Sequence, residues 1–134
     1  VDEYRDIAGV YTRRLAKNMP LQADPTVIYG AGKTGEGTRS NSNITKEMLA
    51  HQNPYNTYLK AGLPPTPIAL PSAKALEAAL DPKAGETLYF VAKPDGKGHI
   101  FTKNLTDHNS AVAEYRKGLV NTTLNSTNNT KSTP

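Results

Sequence analysis

The chain has 134 residues, a formal net charge of +4 and no cysteine, which is the size of one ordinary domain able to bury about 65% of its unfolded surface around a single core. Without cysteine there is no disulfide framework, thiolate metal site or thiol nucleophile, although the compartment stays open. No run approaches the ~20 apolar residues of a membrane span, so the chain itself reads as soluble, and its basic residues are scattered from Arg13-Arg14 through Lys60 to Arg116-Lys117, which argues against nucleic acid as a partner.

Ile7, Val10, Tyr11 and Leu15 recur at helical spacing, which predicts an amphipathic helix over residues 2–18 that ends before Pro20. A helix opening almost at residue 1 raises the expectation that the natural domain extends upstream. Residues 21–28 contain Pro25 and are expected to form at most a short edge strand. Residues 30–43 hold Gly, Ser, Thr and Asn with almost nothing apolar, the composition of a loop, and Thr45 is placed to cap a short helix to about His51. Residues 53–71 contain five prolines and are expected to be ordered, extended and non-helical. Ser72 should cap a helix ending near Leu80, with Ala73, Leu76 and Leu80 on its inner face.

The last third predicts a hairpin, because 88–92 and 99–102 are β-prone runs around a turn with Asp95-Gly96 and Gly98. Thr106 is the expected cap of a final helix in which Ala111, Val112, Tyr115 and Leu119 share a face, and Gly118 offers its stop. Beyond Val120 the chain is too polar to offset its ordering entropy, so residues 121–134 are expected to be a disordered tail after a domain of residues 1–120. Asn-x-Ser/Thr triplets at Asn43, Asn104, Asn121, Asn125 and Asn128 follow from Asn/Thr-rich composition more readily than from glycosylation. The fold class expected is α+β: several helices, a C-terminal hairpin followed by a helix, and long ordered loops.

Chemical motifs are sparse. Gly30-Ala31-Gly32-Lys33-Thr34-Gly35 has the spacing of a dinucleotide fingerprint and contains the Gly-Lys-Thr of a phosphate loop. However, Val27 stands where the phosphate loop needs glycine, and residues 36–41 cannot open a helix at the third glycine. The ribose-binding acid about 20 residues on is also missing. His51, His99 and His108 are far apart, with no His-x-x-x-His pair, and no serine sits in a nucleophile elbow. Pro64 and Pro67 fit P-x-x-P spacing, a ligand pattern for aromatic grooves, but a rigid rim is the better reading of that block.

Three longer blocks carry a resemblance. Ala8-Gly9-Val10-Tyr11, Arg14-Leu15 and Met19-Pro20-Leu21-Gln22-Ala23-Asp24-Pro25-Thr26-Val27-Ile28-Tyr29-Gly30 form the first. Asn53-Pro54-Tyr55-Asn56-Thr57-Tyr58, continuing into Gly62-Leu63-Pro64-Pro65-Thr66-Pro67-Ile68-Ala69, forms the second. Leu88-Tyr89-Phe90-Val91-Ala92, His99-Ile100-Phe101 and His108-Asn109 form the third. In order and spacing they resemble the YceG-like family of endolytic murein transglycosylases over residues 2–119. Two places depart from the family pattern: Leu70-Pro71-Ser72 stands where Asn-Pro-Gly is usual, and the 30–43 loop is unusually rich in Gly and Ser.

The resemblance implies a membrane-anchored bacterial cell-wall enzyme whose domain faces the periplasm or the outside. Its partner is the peptidoglycan glycan strand, and it needs no metal or organic cofactor. Such an enzyme cuts between N-acetylmuramic acid and N-acetylglucosamine without water. One glutamic acid protonates the leaving oxygen and then, as carboxylate, takes the proton of the muramic acid primary hydroxyl, closing an anhydro ring. In the family that glutamate lies in a helix ahead of Asp2, in a segment resembling Ala-Ser-Ile-Val-Glu-Lys-Glu. No catalytic residue is therefore expected within this chain; Glu3 matches the downstream acidic run instead. By itself the fragment is expected to be inactive and prone to self-association.

The expected substrate contacts are Gln22, Asp24 and Asn56 through hydrogen bonds, Thr26 beside them, and the flat rings of Tyr29, Tyr55 and Tyr58. The alternative makes Asp24 and Thr26 turn formers around Pro25, and Asn56 an internal loop staple. Two rival functions stand beside this one. The first is a non-catalytic glycan-binding or interaction module. The second is an aminodeoxychorismate lyase using pyridoxal phosphate, a label the family has sometimes carried, although no Schiff-base lysine with phosphate loops is recognisable.

Overall fold

The computed structural model describes residues 2–32 and 44–131, with side chains as far as residue 119. Five helices and one hairpin follow in the order α1 (Tyr4–Ala16), α2 (Asp24–Ala31), α3 (Lys46–Ala50), α4 (Ala73–Leu80), β1 (Tyr89–Ala92), β2 (His99–Thr102) and α5 (Leu105–Lys131). This is the α+β class that the sequence predicts. The chain divides into two compact units, one built from Val1–Val10 with Ala78–Pro134 and the other from Tyr11–Glu77. No described helix is long and apolar enough to cross a membrane.

In the unit that joins the chain's two ends, β1 and β2 pair antiparallel with Phe90 opposite Phe101 and Val91 opposite Ile100. The rings of Phe90 and Phe101 lie 5.9 Å apart, an aromatic pair of the kind that stabilises a two-stranded ladder. Asp95 Oδ1 accepts the Lys97 N–H at 2.8 Å, and Gly96 takes a φ of +72° that L side chains avoid. The hairpin packs on α5, where Ala111 is buried and the His108 ring stacks on Tyr89 at 5.1 Å. After α4 the chain returns along the start of α1: the Lys83 N–H donates to Arg5 O at 3.0 Å, and Arg5 Nε donates to Asp81 O at 2.8 Å.

Two expectations for α5 are corrected. Its cap is Asn104 rather than Thr106: Asn104 Oδ1 accepts the Asp107 N–H at 2.9 Å while its amide donates back to the Asp107 carboxylate at 3.0 Å, a reciprocal box that only the residue before Leu105 can complete. Gly118 does not stop the helix, which runs on to Lys131. A Cβ at Gly118 would collide with the Pro94 ring, so the glycine permits a close approach within the helix rather than a left-handed turn after it.

The other unit begins in the second half of α1. The expected inner face of this helix is only partly correct, since Val10 is fully buried but Leu15 is 38% exposed and Arg14 is buried instead. Arg14 turns inward because the chain after the helix offers it carbonyls, with Nη1 donating to Pro20 O at 2.8 Å. Asn18, at φ +58°, makes the left-handed C-terminal turn, and the Met19 N–H closes it on Arg14 O at 2.9 Å. The predicted edge strand at 21–28 is absent: α2 begins at Asp24 with Pro25 in its first turn, where the missing N–H would have no helical partner anyway.

At the end of α2 a Cβ on Gly30 would strike the Asn53 side chain, so that glycine serves close packing inside a helix and not a phosphate turn. The loop predicted for 30–43 falls mostly outside the described residues. Thr45 and Ser72 cap α3 and α4 as predicted, accepting the Met48 and Ala75 N–H groups at 3.1 Å each. Residues 53–71 form turns without helix or strand. In α4 the expected inner face is wrong: Ala78 is 3% exposed whereas Leu76 and Leu80 are 53% and 87% exposed. All but two of its residues are apolar, so periodicity alone could not select the buried stripe.

Candidate functional site

All seven predicted contact residues lie within the unit Tyr11–Glu77. Two segments far apart in sequence bring them together. The loop entering α2 is fastened to the 56–58 turn by Gln22 N–H to Thr57 O at 3.2 Å, by Ala23 N–H to Thr57 Oγ1 at 3.0 Å and by a 2.7 Å bond between the Thr26 and Thr57 hydroxyls. Thr26 Oγ1 also donates to Ala23 O at 2.6 Å, so in the bond between the hydroxyls Thr57 is the donor.

This fastening divides the seven residues into a support and a face. Asn56 has no exposed surface, and its amide donates to Leu49 O at 3.0 Å and His51 O at 2.9 Å while its Oδ1 accepts the Tyr58 N–H at 3.0 Å. Asn56 therefore staples the loop from inside, and buried Thr26 does the same with its hydroxyl. Gln22 and Asp24 are exposed, and Tyr29, Tyr55 and Tyr58 are half-buried. The Tyr29 and Tyr55 rings are 4.9 Å apart and inclined at 56°, giving a small aromatic surface. Thr66 Oγ1 donates to Pro67 O at 3.0 Å, so the Tyr55 hydroxyl donates to it at 2.9 Å and ties the ring to the proline-rich rim.

Asp24 and Tyr58 form the most polarised contact. The Tyr58 hydroxyl donates to Asp24 Oδ1 at 2.6 Å. Partial burial pushes the Tyr58 phenol well above its ordinary value, and both the hydrogen bond to Asp24 and the charge of Asp24 push in the same direction. Burial also raises Tyr11, with the Arg14 guanidinium opposing and Asp24 adding to the rise. The carboxylate thus faces two neutral phenols with a guanidinium nearby. Gln22 sits in the same loop at φ +50°, a conformation that a non-glycine residue holds only when its surroundings compel it.

Sequence reasoning missed Thr57 and Arg14. Thr57 is 31 residues from Thr26, and nothing local marks the pairing. Arg14 is a charged residue near the end of α1, and its type and position give no sign that it will be buried.

The other unit holds a separate polar cluster. Glu3 accepts the His99 N–H on both carboxylate oxygens, at 2.9 and 3.1 Å, and His99 Nδ1 lies 3.1 Å from Oε2. Because a carboxylate can only accept, Nδ1 carries the proton there. Gly98, at φ +95°, has no room for a Cβ beside the Glu3 side chain. A depression of about 570 Å³ lies next to this clamp, bounded by Glu3, Tyr4, Ile7 and turn residues including Lys97. Among the described residues no three His, Cys, Asp or Glu side chains are grouped to hold a metal ion.

The model of the YceG-like family matches residues 1–114. A protein of Bacillus subtilis named endolytic murein transglycosylase is 45% identical over 109 residues, a span that covers 81% of this chain and 28% of that protein. A protein of the same name from Streptococcus pneumoniae is 37% identical over 122 residues, covering 89% and 21%. The chain therefore spans only 21% to 28% of the length of the curated relatives it matches. A crystal structure of a yceG-like protein from Listeria monocytogenes superposes with a TM-score of 0.72 at 42% identity, covering 82% of this chain and 34% of that one.

Proposed function

The chain belongs to the YceG-like family, and from that premise we propose that it is part of the catalytic domain of an endolytic peptidoglycan lytic transglycosylase. The whole protein would cleave the bond between N-acetylmuramic acid and N-acetylglucosamine without water and leave anhydro-muramic ends. Its relatives' shared name, endolytic murein transglycosylase, supports the reaction class. At the level of residues, the support comes from the polar groups of Gln22, Asp24 and Tyr58 and from the Tyr29–Tyr55 ring pair, which supply from the same two segments the hydrogen-bonding groups and the flat apolar surface that a sugar chain requires.

Within this scheme the chain supplies the wall of the glycan cleft. The general acid and base is a glutamate in the segment that resembles Ala-Ser-Ile-Val-Glu-Lys-Glu, and the two prominent carboxylates found here have other duties. Glu3 is taken up by His99, and one oxygen of Asp24 accepts the Tyr58 hydroxyl. One carboxyl group suffices because the nucleophile is the substrate's own hydroxyl, in contrast to the paired carboxylates of hydrolases. The scheme calls on no metal or organic cofactor. The whole protein is anchored in the bacterial cell membrane with this domain facing the periplasm or the outside, and exposed Leu63, Leu70 and Leu80 offer the isolated chain surface for self-association.

The test is to incubate the whole protein and the 134-residue chain separately with purified glycan strands and to examine the products by mass spectrometry. Anhydro-muramic ends are expected from the whole protein alone. Reducing ends would refute a non-hydrolytic reaction, and retention of glycan without cleavage would make the protein a binding module. Anhydro ends from the short chain would place the acid inside it.

A further inference from the structure

We propose that Gln22 and Asp24 together read the N-acetyl group of a sugar, with the Gln22 side chain donating to the acetamido carbonyl and the Asp24 carboxylate accepting from the acetamido N–H. This rests on the glycan-contact role given above to their loop and deepens it by assigning a direction to each hydrogen bond.

Both side chains have two polar head atoms, and in each the structure occupies one. Arg14 is buried and anchored by its bond to Pro20 O, and its Nη1 lies 3.5 Å from Gln22 Oε1. Even at that long distance a cation attracts the amide oxygen and repels the NH2 group, so the donor end of Gln22 is turned away from Arg14. On the other side, Tyr58 fills Asp24 Oδ1. Among the described residues no hydrogen bond is made by Gln22 Nε2 or by Asp24 Oδ2. The pair therefore offers one donor that cannot become an acceptor and one acceptor that cannot become a donor.

Spacing fits the same group. Ala23, between them, is extended at φ −97° and ψ 114°, which sets the Cα atoms of Gln22 and Asp24 about 7 Å apart. A trans secondary amide points its N–H and C=O in opposite directions, so it needs a donor and an acceptor on opposite sides. A hydroxyl, whose donor and acceptor share one atom, spans a shorter gap between its two partners than an amide does. The loop is also preorganised: the N–H groups of Gln22 and Ala23 are both held by Thr57, and the left-handed backbone of Gln22 fixes where its side chain starts.

The test compares two neutral tetrasaccharides that differ at C2, chitotetraose with acetamido groups and cellotetraose with hydroxyls, each titrated into the chain and followed by NMR. Chitotetraose should bind about tenfold more tightly, the worth of two modest hydrogen bonds, and should move the Gln22 side-chain NH2 resonances. Gln22→Glu, which replaces the donor by an acceptor of the same shape, should reduce the preference to within about twofold with an unchanged thermal melt. Tyr58→Phe frees the carboxylate to rotate and should weaken the preference by a smaller factor. Equal binding of both sugars would overturn the amide reader while leaving the glycan wall standing. Binding of neither would overturn both, and a preference that survives Gln22→Glu would overturn the assignment to this pair.

Discussion

The unit Tyr11–Glu77 and the unit that joins the chain's two ends are held together by different means. In the former, the fully buried side chains include Asn56 and Thr57 beside Val27, and the loop into α2 is fastened by hydrogen bonds whose partners are single, named atoms. In the latter, the hairpin residues are only half-buried, the buried centres are the apolar Val10, Ala78 and Ala111, and the charged pairs Arg5–Asp81, Lys83–Asp6 and Lys103–Glu86 lie at the surface. A polar interior depends on every partner being present, because an orphaned buried group keeps its full desolvation cost. Half-buried packing with surface ion pairs spreads its stability over many small terms. The region expected to touch substrate is therefore the region least tolerant of substitution behind its face.

The sharpest way to break this contrast is Asn56→Ala, which orphans the Leu49 carbonyl and the Tyr58 N–H and leaves the His51 carbonyl with only the 3.2 Å bond from the Asn53 amide. It should cost about 3 kcal/mol in a urea melt, and a loss under about 1 kcal/mol would show that the staple is dispensable. Gly30→Ala should cost about 2 kcal/mol because the new methyl group must displace the Asn53 side chain, which itself holds the Tyr55 N–H at 3.0 Å. Thr57→Val keeps the shape but removes the hydroxyl between Ala23 and Thr26, for about 1.5 kcal/mol.

Tyr58 provides a test by pH. Its folded value is raised above that of a free phenol, so its contribution is fully present below about pH 10 and is lost as pH rises through the folded value. Tyr58→Phe should accordingly flatten the alkaline fall of the melting temperature above pH 10. An unaltered alkaline slope would place the titration elsewhere. At the small end, Arg5→Ala in the other unit should change stability by less than about 0.5 kcal/mol, since both partners of its ion pair are largely exposed.

What the sequence disclosed follows the same division. Local signals marked α1, the caps of α3 and α4 and the hairpin, because Thr45, Ser72 and the Asp95-Gly96 turn act on neighbours a few residues away. It misplaced α2, because Pro25 and the β-prone Val27-Ile28-Tyr29 argue for extended chain, whereas Pro25 sits in the first turn of a helix whose Gly30 packs closely on Asn53. The site was legible only as family-like blocks naming Gln22, Asp24 and Tyr58. Which residues face outward and which brace them depends on Thr57 meeting Ala23 and Thr26 across more than thirty residues, which no local pattern records.

On the proposed function, the outward face of the α2 loop contacts substrate while the residues behind it maintain the fold. Asp24→Asn tests it most directly, because asparagine preserves the shape and can still accept the Tyr58 hydroxyl. Turnover on glycan strands and melting temperature should be measured on the same preparation of the whole protein. Turnover should fall by at least about tenfold with the melting temperature within about 2 °C of the parent. Parallel loss of both would make Asp24 structural, and unchanged turnover would contradict any contact between this face and the glycan.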